Sequence, residues 1–108
     1  MSRHALVVAF ALCFASVAAA GEMYGKITEG ATAVPAGVAV QVDCGGQKAE
    51  AKTDKTGSYH LVAANGKCTL TVAYKDQKPS IQVVSYDEGA QVDLVLELAA
   101  GKYTLRRK

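Results

Sequence analysis

The stretch Thr53-Asp54-Lys55-Thr56-Gly57-Ser58-Tyr59-His60-Leu61 is a tight turn feeding directly into a strand. The Asp54 carboxylate is placed to accept from the backbone two residues on, and Gly57 takes the positive φ that a Cβ resists. The spacing therefore predicts a type I turn closing a hairpin. Beyond it, Tyr59, Leu61 and Ala63 alternate with His60 and Val62, the period of a strand with one buried face.

Asn65-Gly66 follows, the dipeptide that favours a two-residue type I′ hairpin most strongly. A hairpin there sets Ala63 opposite Cys68, Leu61 opposite Leu70 and Tyr59 opposite Val72, with both apolar sets on one face. An arch between two sheets would keep the inward set and lose those pairs. Residues 67–74 carry Cys68, Leu70, Val72 and Tyr74 in the buried phase. Upstream, Val38, Val40, Val42 and Cys44 share one face, and Gly45-Gly46 turns the chain into residues 47–53, where Lys48, Glu50 and Lys52 point outward. Residues 23–28 form a short first strand broken by Gly25, and residues 29–37 a connector holding Pro35. Residues 80–86 form a strand whose inward face the pattern leaves open. Residues 91–98 form a last strand with Val92, Leu94, Leu96 and Leu98 inward. Seven short strands separated by turn signals predict an all-β fold, a small antiparallel seven-stranded β-sandwich.

The start of the chain sets the compartment. Arg3 and His4 precede an uncharged apolar run over residues 5–17, and Ala18-Ala19-Ala20 supplies the small residues a signal peptidase needs. A signal peptide over residues 1–20 is predicted, since the run is too short to span about 30 Å of hydrocarbon. Residues 21–108 are then one small domain, closed by a short basic tail over 99–108 with Lys102, Arg106, Arg107 and Lys108. With Arg3 gone, eleven basic residues face ten acidic ones, a balance unlike the concentrated basic face of a nucleic-acid binder. Cys13 leaves with the signal segment, so Cys44 and Cys68 remain as an even pair in an oxidising compartment, and a disulfide is expected. No CxxC occurs and His60 is the one histidine beyond the signal segment, which leaves little for a metal or redox alternative.

Four pieces of the chain, in order, carry a resemblance: Gly25-Lys26-Ile27, Val34-Pro35-Ala36-Gly37-Val38-Ala39-Val40, the opening turn and strand, and Gly66-Lys67-Cys68-Thr69-Leu70-Thr71-Val72. Over residues 22–98 the chain resembles the carboxypeptidase regulatory-like domain, a transthyretin-like or prealbumin-like sandwich also grouped with carbohydrate-binding-like folds. The resemblance implies a non-catalytic module of the kind appended to peptidases, transporters or surface proteins. The expectation is an exported binding or structural accessory of the cell envelope, periplasmic or secreted, with an envelope protein or a glycan as partner. Neither a nucleic-acid partner nor a cofactor is expected.

Candidate chemistry is sparse. His60 lies in the outward phase, a solvated position with no companion histidine. Asp54, Asp43 and Asp76 suggest a cation site only loosely, because turn geometry explains Asp54 by itself. A transthyretin-like hydrolase uses several histidines and arginines and a Tyr-Arg-Gly-Ser end, where this chain has one histidine and ends Tyr103-Thr104-Leu105-Arg106-Arg107-Lys108. A dioxygenase needs paired Tyr and His ligands. A Lys-to-Asn isopeptide bond has Lys26 available, but the sole asparagine, Asn65, sits in a turn. Of the five tyrosines, Tyr59 and Tyr74 are in the buried phase and Tyr103 lies in the tail; Tyr24 and Tyr86, with His60, are weak candidates for contacting a ligand.

Overall fold

The structure, a computed structural model, describes residues 20–108, so the predicted signal segment lies, but for Ala20, outside the described residues. Ten strands follow one another: β1 (Ala20–Glu29), β2 (Thr32–Ala33), β3 (Ala39–Cys44), β4 (Gln47–Lys52), β5 (Ser58–Ala64), β6 (Gly66–Ala73), β7 (Ser80–Ser85), β8 (Ala90–Gln91), β9 (Leu94–Ala99) and β10 (Lys102–Arg107). They form two sheets. One is the antiparallel sheet β4-β3-β6-β7; the other is built on β1. The seven expected strands are all present, joined by the short β2 and β8 and by β10.

β1 pairs antiparallel with β5 and β2 along one side, and parallel with β8 and β9 along the other. The fully antiparallel sandwich is thus corrected to a mixed one. Gly25 does not break β1. The chain of residues 86–93 crosses so close to it that a Cβ on Gly21 would collide with the Tyr86 carbonyl, and one on Gly25 with the Val92 carbonyl. Glycine here is the condition for close approach, which is its other meaning inside a strand.

The alternation holds across both inner faces. Val40, Val42, Cys44, Cys68, Leu70 and Val72 from one sheet meet Met23, Ile27, Tyr59, Leu61, Leu94 and Leu96 from the other, all buried. Each such side chain contributes about 1.5–3 kcal/mol when taken fully out of water. The open question over residues 80–86 resolves with Val83 and Ser85 inward, the Ser85 hydroxyl donating to the Ala63 carbonyl across the sandwich at 3.2 Å. Leu98 is corrected: it is 55% exposed, at the end of β9 beside the Ala100-Gly101 loop and beyond the buried run of Leu94, Val95 and Leu96.

The hairpin predicted at Asp54–Gly57 is corrected to an arch, and the choice left open at Asn65-Gly66 resolves as an arch too. β5 takes β1 as its partner over seven residue pairs, while β6 lies between β3 and β7. The cross-strand pairs expected around Asn65-Gly66 therefore do not form. Gly66 has φ 116°, whereas Asn65 is not in the left-handed region, so the type I′ turn is absent. A hairpin and an arch bury the same alternate residues, so alternation cannot tell them apart. Two-residue loops with positive φ at both positions close antiparallel pairs elsewhere: Gly45-Gly46, with φ of 63° and 95°, Lys75-Asp76, with 50° and 66°, and Ala100-Gly101, with 53° and 78°, while Gly30-Ala31 joins β1 to β2. The Ala100-Gly101 loop brings the last residues back along β9. The basic tail is therefore corrected to a strand, with Tyr103 and Leu105 in the core and Arg106 paired with Glu97 at 2.9 Å.

The opening turn keeps its chemistry in the new role. Asp54 Oδ1 accepts from Thr56 N, Thr56 Oγ1 and Ser58 N at 2.9, 2.7 and 3.1 Å, and Gly57 N donates to the Asp54 carbonyl at 2.9 Å. These bonds, the Thr56 hydroxyl first, hold the Asp54 carboxyl below its ordinary range. The arch then docks on β1. Ile27 N donates to the Gly57 carbonyl and Val34 N to the Ile27 carbonyl, filling the gap between β5 and β2. A Cβ at Gly57 would lie 2.8 Å from the Ile27 carbonyl oxygen. Just before the arch, the buried Thr53 hydroxyl donates to the Pro35 carbonyl and accepts from Val38 N.

Cys44 and Cys68 are bonded, as expected. They continue the β3–β6 register, in which Asp43 faces Thr69. The bond therefore staples two strands of one sheet and does not join the layers.

Candidate ligand-binding face

The outward side of the β1 sheet gathers the candidate residues that local pattern left scattered. Tyr24 lies directly opposite His60 on β5 and, on its other side, directly opposite Gln91 on β8. Three planar side chains thus form one transverse row across three strands, a span of about 10 Å given the inter-strand spacing. Tyr24 is 43% exposed. Around the row lie Glu22, Lys26, Ser58 and Asp93, and together these residues line a shallow recess of about 510 Å³.

The row is braced from below and from one end. The buried Tyr59, next to His60, donates its hydroxyl to the Val92 carbonyl at 2.6 Å, and burial, with Asp93 second, pushes its phenol well above the ordinary range. Asp93 Oδ1 accepts from Lys26 N at 2.9 Å while its Oδ2 accepts from Gln91 Nε2 at 3.1 Å. The end of β10 completes the brace, with Arg107 Nη2 donating to the Gln91 carbonyl and Lys108 N to the Asp93 carbonyl. His60 Nε2 lies 3.5 Å from Glu22 Oε2, both side chains more than half exposed.

Tyr86 is 53% exposed but does not line the recess; it follows β7, and its carbonyl accepts from Gly89 N. Lys26 and Asn65 lie at opposite ends of the β1–β5 pairing, Lys26 facing Ser58 while Asn65 adjoins Ala64, which faces Ala20. Six residues of strand, about 20 Å, separate them, and Asn65 Nδ2 donates to Asp87 Oδ1. Asp43 accepts from Gly46 N in the β3–β4 loop, and Asp76 belongs to the turn after Tyr74. Among the described residues, no three His, Cys, Asp or Glu side chains converge so that they could hold a metal ion.

Sequence reasoning missed Gln91 and Asp93 as neighbours of Tyr24, because the parallel β1–β8 pairing leaves no local signature, and it passed over Glu22, which alternation along β1 already places on the face of Tyr24. It also missed a second polar cluster. Glu29 accepts from the Tyr74 hydroxyl at one oxygen and from the Tyr103 hydroxyl at the other, each at 2.8 Å. Lys75 Nζ stands 3.8 Å from the same carboxylate and 5.2 Å from the centre of the Tyr74 ring. The two phenol donors, Tyr74 foremost, hold the Glu29 carboxyl below its ordinary value. Gln77 ties the same corner to β10, donating to the Gly101 carbonyl and accepting from Tyr103 N.

No protein-family model and no curated protein matches the chain. Among solved structures, it is similar to the crystal structure of a DUF3823 family protein from Parabacteroides merdae, with a TM-score of 0.57 and 14% sequence identity. The match covers 82% of this chain and 58% of that one, so the chain spans little more than half the length of its structural neighbour. At that identity the likeness concerns the fold, a β-sandwich.

Proposed function

We propose that this protein is an exported, non-catalytic β-sandwich module of the carboxypeptidase regulatory-like kind that binds a glycan through its His60–Tyr24–Gln91 row. The observation that carries this reading is the row itself: a part-exposed tyrosine flanked by side chains that donate and accept hydrogen bonds. A sugar ring presents an apolar C–H face and a rim of hydroxyls, and this arrangement matches both. Asp93 supports the reading, because it holds the Gln91 amide in place before any ligand arrives and so reduces the ordering that binding requires. The Cys44–Cys68 bond supports export to the periplasm or the medium. On the catalytic alternative, His60 has Glu22 beside it, but the Ser58 hydroxyl in the recess is engaged with Thr56 Oγ1 at 3.0 Å and Asp93 with Lys26 N and Gln91, which speaks against a nucleophile activated by His60.

A glycan array followed by titration tests this. The wild-type protein is expected to bind a glycan that Tyr24→Ala loses by at least tenfold, about 1.4 kcal/mol, with an unchanged far-ultraviolet circular dichroism spectrum. Binding that survives Tyr24→Ala and His60→Ala together, or an array without a single hit, would sink the glycan reading.

A further inference from the structure

Four strand edges flank the sandwich, and they are not protected alike. β4 carries Lys48, Glu50 and Lys52, and β10 carries Lys102, Arg106 and Arg107, charges of the kind that keep edges from pairing. β5 lies alongside β4, joined to it by the arch over residues 53–57. β7, Ser80-Ile81-Gln82-Val83-Val84-Ser85, has no charged residue in six. Its polar backbone groups can be assigned from the ladder. Val72 N donates to the Pro79 carbonyl, and the β6–β7 register continues that pairing. In an antiparallel ladder the alternate residues Ile81, Val83 and Ser85 then face β6, while Ser80, Gln82 and Val84 turn their N–H and C=O groups away. The outward side chains at this edge include Val84, 39% exposed, and Tyr86 follows at 53%.

We propose that β7 is a self-association edge, on which a second copy of this chain pairs antiparallel and joins the two four-stranded sheets into one of eight strands. Charge complementarity favours this occupant. Lys78 precedes the strand and Asp87-Glu88 follow it. A two-fold axis at Val83 sets Gln82 opposite Val84 of the second copy, so that outward backbone groups meet outward backbone groups. The same axis brings Lys78 of each copy toward Asp87-Glu88 of the other. Parallel pairing would set like charge against like.

Sedimentation equilibrium over a range of protein concentrations tests the proposal. The expected result is a dimer that Gln82→Pro weakens at least tenfold. That change removes an outward N–H and leaves the β6–β7 ladder intact, so circular dichroism should stay that of the parent, and thermal unfolding should match the parent's at concentrations where both are monomeric. Lys78→Glu is expected to weaken the dimer too, and Lys78→Glu with Glu88→Lys to restore it, a rescue that lost folding cannot mimic. Three outcomes would each overturn the proposal. These are a monomer at every concentration, a dimer that Gln82→Pro leaves intact, and a Lys78→Glu dimer unchanged in strength or not restored by Glu88→Lys.

Discussion

The two ends of β6 are fastened by different physics. Near its start, Cys68 is bonded to Cys44 on β3, a neighbour in the same sheet. Just past its end, Tyr74 donates to Glu29, which belongs to β1 in the other sheet, and Tyr103 from β10 meets the same carboxylate. The rings of Tyr74 and Tyr103 pack edge to face with centres 5.3 Å apart. The covalent bond thus restricts the unfolded chain while adding little to the joining of the sheets, and the polar cluster joins them with bonds that titrate. Strength of fastening and place of fastening are separate choices in a small sandwich, whose thin core leaves the ends to be closed by other means.

The largest expected effect comes from the covalent end. Replacing both cysteines, Cys44→Ala with Cys68→Ala, frees a loop of 24 residues and should lower the unfolding free energy by about 3.5 kcal/mol, measured by urea titration. A loss well under 1 kcal/mol would mean that the β3–β6 ladder already does the restraining.

A smaller effect belongs to the polar end, and its signature is pH. Glu29 is held below its ordinary value of 4.5, so its contribution is present above that pH and fades as the pH falls through the lowered value. Tyr74 and Tyr103 have the opposite sign. Burial foremost for Tyr74, and the Glu29 hydrogen bond foremost for Tyr103, raise both phenols above 10.0. Their contribution is present below 10.0 and is lost as the pH rises through the raised values. Thermal unfolding should therefore be flat between these limits and fall on both flanks. Glu29→Gln should shallow both flanks, because it removes the carboxylate that titrates in acid and the acceptor that raises the two phenols, while Tyr103→Phe should shallow the alkaline flank and, by taking one donor from Glu29, part of the acid one. Parallel profiles for Glu29→Gln and wild type would remove the cluster from the account.

The smallest effect concerns the loop that delivers Tyr103. Ala100 sits at φ 53°, where a Cβ is strained, so Ala100→Gly should gain about 0.5 kcal/mol after the added freedom of the unfolded chain is set against the relief. A clear loss of stability would show that the Ala100 methyl is needed in the turn.

Legibility in the sequence followed the range of the interaction. Alternation placed Val40, Val42, Leu61, Leu70 and Leu94 inward correctly, because facing a core is a property of each strand alone. It failed at Leu98, which keeps the phase of Leu94 and Leu96 but stands exposed at the end of its strand. The Asp54-to-Gly57 turn was readable because its bonds close within five residues. Whether it led into a hairpin was not, since both answers use the same turn. The tail was misjudged on its charge, although Tyr103-Thr104-Leu105-Arg106 alternates as cleanly as any other strand and Ala-Gly is a weak turn signal. At the ligand face, Tyr24 and His60 were singled out separately. Gln91 joined them only through a parallel pairing between residues far apart in the chain.

By itself the sequence determined the class of fold, the inward set of side chains, the sites of most turns and the pairing of Cys44 with Cys68. The tertiary structure alone decided which strands are neighbours, that the disulfide lies within one sheet, that the last residues close the sandwich, and that Tyr24 stands between His60 and Gln91. The reason is physical. Burying alternate residues removes the same apolar area from water under many strand orders. Choosing among them falls to contacts between distant residues, such as the Val92 carbonyl passing over Gly25 and the Glu29 carboxylate reaching two tyrosines, and no window along the chain contains those contacts.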